Sequence, residues 1–293
     1  MDKNLRFVCA QPDVPYFYWQ VRVYVENFIE KGILPNQIHV IFGIVTPNTE
    51  PTSDSLKLKE FPQHGECFFL HDADIIFREL PDFKTLMEDD VLYLSDTVGY
   101  IGFNYIMDCC KRYESHHPQS KQGQLLQEMV DVIGVTTECV ECNENNSGGG
   151  QYLIKKTDWM IWEKIYMDCT PLYDQMMDYQ KRFPINQGEI QFWTAEMWSL
   201  LWNLWYFGKE TKVVKDLDFS WATDSISIYE QRPILHMAGV TSDMKTIKFY
   251  KGDFINVNPL IKLTENFEYF DYVEEHSSTK KYIDVMKSIV KKQ

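Results

Sequence analysis

Short apolar runs alternate with amphipathic stretches over the first hundred residues. Leu5-Arg6-Phe7-Val8-Cys9-Ala10 reads as a strand closed by the turn Gln11-Pro12-Asp13. Residues 15–32 carry helical spacing, with Trp19, Val23 and Phe28 near one face and Gly32 as a C-terminal stop. A buried-type run within Gln37 to Val45 predicts a second strand, and the Pro-, Thr- and Ser-rich segment Thr46 to Ser55 a surface loop. Cys67-Phe68-Phe69-Leu70 and Val91-Leu92-Tyr93-Leu94 predict two further strands. Apolar strands separated by helical or loop connections predict an α/β fold: a mostly parallel sheet flanked by helices, in one large domain. Ligands in such sheets sit outside the carboxyl ends of the strands. Asp13, Asp72 with Asp74, and Asp96 all fall at predicted strand ends.

Farther along, Glu138 to Gly150 is polar and glycine-rich and reads as a long loop. Gln151-Tyr152-Leu153-Ile154 follows as a strand, and Thr157 to Met167 as a helix with Asp158 in its first turn. Ile190 to Phe207 is apolar on nearly every face, the pattern of a buried helix. The segment 277–293 is basic, with net charge +4, and Tyr282, Ile283, Met286 and Val290 give it an amphipathic face.

Composition narrows the class. The 293 residues are 44% hydrophobic and 15% aromatic, which speaks against disorder. The net charge of −14 speaks against a surface that clings as a whole to nucleic acid or anionic lipid. No apolar run reaches 18 residues, so no membrane insertion is expected. The N-terminal residues lack the apolar core of a signal peptide, and the seven cysteines are an odd number, so a cytoplasmic protein with reduced thiols is expected. Cys139 and Cys142 form a lone C-x-x-C; a zinc ribbon needs a second pair, and ordinary free thiols are the plainer reading.

Four features carry candidate chemistry. Asp72-Ala73-Asp74, between Phe68-Phe69-Leu70 and Ile75-Ile76-Phe77, places two carboxylates on an apolar floor, a clamp for Mg²⁺ or Mn²⁺. Asp pairs also occur in plain turns, but the flanking apolar runs favour the clamp. Gly148-Gly149-Gly150-Gln151 lets backbone approach a ligand and offers an amide to hydroxyls; its plainer reading is a linker. His236, in Leu235-His236-Met237-Ala238-Gly239-Val240, can supply a third metal ligand, and Lys251 a point charge for phosphate. A single His in an apolar stretch is otherwise a core residue. Glu196, flanked by Trp193 and Trp198, is a candidate general base in aromatic surroundings, with Asp224 as its rival; Trp193 and Trp198 can stack on an acceptor or fill the core.

Taken in order, these features resemble a GT-A type glycosyltransferase with a Rossmann-like sheet. Asp72-Ala73-Asp74 looks like the family's D-x-D motif. Trp193-Thr194-Ala195-Glu196-Met197-Trp198 is similar to a run in hydroxyproline O-arabinosyltransferase and serine galactosyltransferase relatives, and virus-encoded glycosyltransferases that decorate hydroxymethylated DNA bases share something of the pattern. The resemblance spans roughly residues 5 to 260 and implies a catalytic domain over 1–276. Its nucleotide-binding half covers about 1–100 and its acceptor-binding half about 101–276, with 277–293 a basic C-terminal helix. It implies a metal-dependent transfer from a nucleotide sugar, a UDP-sugar first, to an acceptor hydroxyl on a modified viral DNA base, a protein or a glycan. Asp72, Asp74 and His236 would hold Mn²⁺ or Mg²⁺. Gln11 and Asp13 would meet base and ribose. Asp96, Gly149, Gly150 and Gln151 would orient the donor sugar, with Gly239 and Lys251 completing the donor site. Glu196 would deprotonate the acceptor if the reaction inverts. A virus-encoded enzyme acting in a host cytoplasm fits this reading. A nucleotidyltransferase and a non-catalytic carbohydrate-binding protein are the alternatives. With +4 in the tail, residues 1–276 carry −18, so a DNA acceptor would need a local basic groove.

Overall fold

A computed structural model describes residues 4–43 and 67–292. The predicted loop 46–55 and the last two residues of the predicted strand ending at Val45 lie outside the described residues. The strands are β1 (Leu5–Pro12), β2 (Ile38–Gly43), β3 (Cys67–Leu70), β4 (Ile75–Phe77), β5 (Leu92–Leu94), β6 (Tyr152–Lys155), β7 (Thr211–Val213), β8 (Phe219–Trp221) and β9 (Ile234–His236).

Six of them form one sheet in the order β2-β1-β3-β6-β5-β7. β1 pairs in parallel with β2 and β3, β5 in parallel with β7, and β6 alone runs antiparallel, between β3 and β5. The mostly parallel α/β sheet read from the sequence is therefore present, in a single mixed domain. Side chains alternate across it as the two-residue period requires. Val8, Phe68, Leu70, Leu92, Leu94, Tyr152 and Ile154 enter one core with the helices Phe103–His116, Gln124–Ile133, Trp159–Arg182 and Ala195–Tyr206. Phe7, Cys9, Cys67, Phe69, Tyr93 and Leu153 enter the other with Tyr24 and Phe28 of the helix Pro15–Glu30. Gly32, just beyond that helix, takes the positive φ of 92° that the chain needs to reverse there.

A second sheet, β4-β9-β8, was not foreseen. Its strands are three residues long, too short for a two-residue period to declare itself. Around it a third core gathers Trp19, Ile76, Leu235, Met237 and Phe249 with Tyr282, Ile283 and Met286 of the helix Ser278–Lys291. The basic tail thus lays its apolar face on the body of the protein.

Two expectations change. Glu138 to Gly150 is not one long loop: Thr137–Cys142 is a short helix, capped by the Thr136 hydroxyl accepting from the Cys139 N–H, with Val140 buried. The helix expected over Thr157–Met167 instead spans Trp159–Arg182 and runs through Pro171. Its buried stripe, Ile161, Ile165, Cys169, Leu172, Met176 and Tyr179, continues past the proline, so packing offsets the missing hydrogen bond. Among the described residues no helix is long and apolar enough to cross a membrane.

Candidate metal and donor site

The D-x-D segment is the turn by which the chain leaves the large sheet for the small one. Leu70 ends β3 and Ile75 begins β4. His71 fixes the entry: its backbone N–H donates to Val8 O, its Nδ1 lies 2.8 Å from Asp72 O, and its ring stacks on Phe69. Ala73 is buried beneath the turn. β4 pairs antiparallel with β9, Ile75 opposite His236, and the Met237 N–H donates to Asp74 O. That register sets a histidine far along the chain beside the two aspartates.

His236 Nε2 lies 3.4 Å from Asp72 Oδ2 and 3.4 Å from Asp74 Oδ1. The three groups offer ligand atoms all within 4.8 Å of one another. A spacing of 3.4 Å is long for a hydrogen bond. An ion about 2.1 Å from each atom would hold neighbouring ligands roughly 3 Å apart, so the set fits a small divalent cation. Two carboxylates with one imidazole are chemistry that such ions accept. The fourth member is Lys251, whose ammonium pairs with Asp74 Oδ2 and leaves Oδ1 to the histidine side.

Electrostatics agree with that geometry. Burial would raise the Asp74 carboxyl, but Lys251 and His236 overcome it and hold the group far below the usual carboxylate range. Burial would likewise lower His236 and Lys251, yet the carboxylates keep both above their ordinary values. Tyr282 and Tyr16 back this cluster. The Tyr282 ring is fully buried and its hydroxyl has no partner among the described residues; burial, then Asp74, pushes that phenol well above its ordinary value. Tyr16 is raised by burial, with Lys251 opposing. Neither tyrosine stood out in the sequence, since nothing local ties them to residue 74.

The other candidates lie in different settings. The carboxyl ends of β1, β3, β5 and β7 share one edge of the sheet, joined there by the start of β6. This edge carries Gln11, Asp13, Asp72, Asp96 and Gln151. Gln11 is buried with its amide toward Cys9 Sγ, and Asp13 accepts from the Tyr18 hydroxyl at 2.6 Å. Asp96 is exposed and accepts from the Val98 N–H. Ser95 Oγ lies 2.7 Å from both Gln151 Oε1 and Leu217 O, while Gln151 Nε2 is buried without a partner among the described residues. The Gly149 N–H donates to Ser95 O, so the glycine run is held against the strand end. Gly239 turns beside Thr223.

Glu196 sits half-buried in the first turn of the helix Ala195–Tyr206. Trp193, 64% exposed, presents a ring to solvent. Trp198 corrects the sequence reading: it is 0% exposed and its indole N–H donates to Ile101 O at 2.8 Å, so no acceptor ring can stack on it. Asp224 is a turn-closing residue. Its Oδ2 accepts from the Trp221 N–H at 2.8 Å.

No protein-family model matches the sequence, and no curated protein matches it. A solved structure, the apo form of the bifunctional glycosyltransferase WbbM, is similar with a TM-score of 0.46 and 8% identity. The match covers 93% of this chain and 52% of that one, so the chain spans about half the neighbour's length. A likeness at that level carries no residue roles across.

Proposed function

We propose that the protein is a metal-dependent glycosyltransferase moving a sugar from a nucleotide sugar, a UDP-sugar first, to an acceptor hydroxyl. The observation that carries this reading is the set Asp72, Asp74, His236 and Lys251, gathered where β3 leaves the carboxyl edge of the sheet. Asp72 Oδ2, Asp74 Oδ1 and His236 Nε2 would hold Mn²⁺ or Mg²⁺. When bound, such an ion neutralises the charge growing on a leaving diphosphate. Lys251 fixes Asp74 in its ionised form and keeps a positive charge beside the phosphates' place. Gln11 and Asp13 would take base and ribose, with Gly239 bordering the site. Asp96, Gly149, Gly150 and Gln151 share the edge where the donor sugar would lie. Glu196 would accept the proton of an acceptor hydroxyl in an inverting transfer, and Trp193 is the aromatic surface exposed for the acceptor. A modified DNA base, a protein or a glycan each supplies the hydroxyl this chemistry needs.

A donor screen tests the reading. The protein is incubated with Mn²⁺ and UDP-, GDP- or CDP-sugars, and product release and thermal shift are followed. One donor should raise the melting temperature, a saturating ligand at 100 Kd adding about 2.7 kcal/mol, and should release nucleoside diphosphate and free sugar. Both responses should vanish in Asp74→Asn. Release of nucleoside monophosphate and sugar phosphate would replace the reading with cleavage between phosphates. No response to any donor overturns it.

A further inference from the structure

A metal-ligating imidazole ordinarily donates its second ring N–H to a carboxylate, a carbonyl or water, and that bond fixes both tautomer and ring orientation. His236 departs from this. Its Nδ1 is buried and has no hydrogen-bond partner among the described residues. Two aromatic rings stand there instead. Trp221 stacks on the imidazole with centroids 5.5 Å apart and planes 22° from parallel. Phe219 meets it edge-on at 5.2 Å and 68°. The register of the small sheet makes the arrangement: Trp221 lies opposite His236 in the parallel β8–β9 pair, and Phe219, two residues earlier, points to the same face. Trp221 is in turn braced by Phe219 at 4.7 Å and by Tyr100 at 5.6 Å, the latter 44% exposed at the carboxyl edge.

We infer that Trp221 is the positioning residue of His236, holding the imidazole plane by stacking where a hydrogen bond to Nδ1 would normally do so. Rotation about the Cβ–Cγ bond would carry Nε2 away from Asp72 and Asp74, and it would also drive the ring into the indole. The clamp leaves Nε2 aimed at the two carboxylates without recruiting a further polar group into an apolar setting. It also sets the Trp221 indole against the imidazole, where its emission would sense an ion at Nε2. The inference rests on the metal reading of Asp72, Asp74 and His236.

The test uses the full chain and Mn²⁺ alone, followed by the electron paramagnetic resonance of free Mn²⁺ and by tryptophan emission. Trp221→Met keeps bulk and removes the ring; its Mn²⁺ affinity should fall about tenfold or more. Trp221→Phe keeps an aromatic plane and should recover most of the loss. The quenching by paramagnetic Mn²⁺ should be much smaller in both variants, and unchanged in Trp159→Phe, whose ring is 58% exposed. Nitrogen-15 shifts of the His236 ring should move in Trp221→Met and stay near wild type in Trp221→Phe. A folded Trp221→Met with wild-type affinity overturns the inference. So does a Trp221→Phe variant as weak as Trp221→Met, or one quenched as strongly as wild type, which keeps the test open if the Met variant does not fold. Wild-type Mn²⁺ binding by Asp74→Asn would instead defeat the metal reading itself.

Discussion

The turn at residues 72–74 and the helix Ala195–Tyr206 are both wrapped in aromatic side chains, and they differ in the kind of polar group they gather. In the helix the groups are neutral and spread along its length: Trp198 donates to Ile101 O, Ser199 to Ile165 O and Asn203 to Ser199 O, while among the described residues Trp202 Nε1 and Asn203 Oδ1 find no partner. At the turn, charges face one another across 3.4 Å, Lys251 is drawn in to balance them, and His236 Nδ1 and the Tyr282 hydroxyl are left unpartnered. Isolated neutral polar atoms are tolerated in a core, whereas two carboxylates and an imidazole with ligand atoms within 4.8 Å of one another are chemistry that suits a cation. That contrast is the ground for proposing the chemistry at the small sheet, with the buried face of the tryptophan-rich helix as scaffold.

The largest effects should come from splitting the charged cluster. Asp74→Asn should weaken Mn²⁺ binding at least about 100-fold, read by paramagnetic resonance. It should also cost about 3 kcal/mol in metal-free stability, because Lys251, with 19% of its side chain exposed, loses the carboxylate it pairs with. The double variant Asp74→Asn/Lys251→Met should regain most of that stability and none of the metal binding. Urea melts of both proteins check this, and a double variant as unstable as the single would show that the pair has no coupling. On the scaffold side, Trp198→Ala should cost about 3–5 kcal/mol by cavity formation and loss of the Ile101 bond. Its Mn²⁺ affinity, measured on the folded fraction, should stay at the wild-type level. A selective loss of metal binding instead would erase the distinction between the two regions.

The sheet and its carboxyl-edge acids were legible because their signals are local. Runs such as Phe68-Phe69-Leu70 announce a buried strand, and an Asp pair directly after one announces a loaded turn. His236 and Lys251 could be singled out one at a time, but pairing between three-residue strands makes His236 a neighbour of Asp74, and Lys251 reaches Asp74 from the short 3-10 helix Lys251–Phe254, 177 positions along the chain. Sequence periodicity has no reach over that separation. Trp221 was visible only as one more aromatic residue near Asp224, because its meaning depends on standing opposite His236. Trp198 misled for a related reason: an aromatic residue beside a glutamate looks the same whether its ring faces a ligand or the core. The helix Trp159–Arg182 runs past its expected end at Met167 because its buried stripe continues beyond Pro171, a residue that locally argues against a helix.

The smallest expected effects lie between the two regions, in the glycine run that joins the short helix Thr137–Cys142 to β6. A methyl group on Gly148 would meet Ser95 O at 2.4 Å and Leu94 Cβ at 2.7 Å, contacts with a strand that cannot give way cheaply. Gly148→Ala should cost about 1–3 kcal/mol. At Gly149 the obstacles are Met197 Cε and the Tyr152 hydroxyl, both at 2.6 Å and both far ends of side chains rather than backbone, so Gly149→Ala should cost less. Gly150 has open space around the added atom and a φ of 82°, so Gly150→Ala should pay only the left-handed backbone term, about 1 kcal/mol. Thermal melts of the three variants should rank them 148, 149, 150. A donor-dependent thermal shift that weakens in Gly150→Ala beyond that stability loss would tie this turn to the sugar site. An unchanged shift would assign the run to chain reversal alone and leave donor recognition to Asp96 and Gln151.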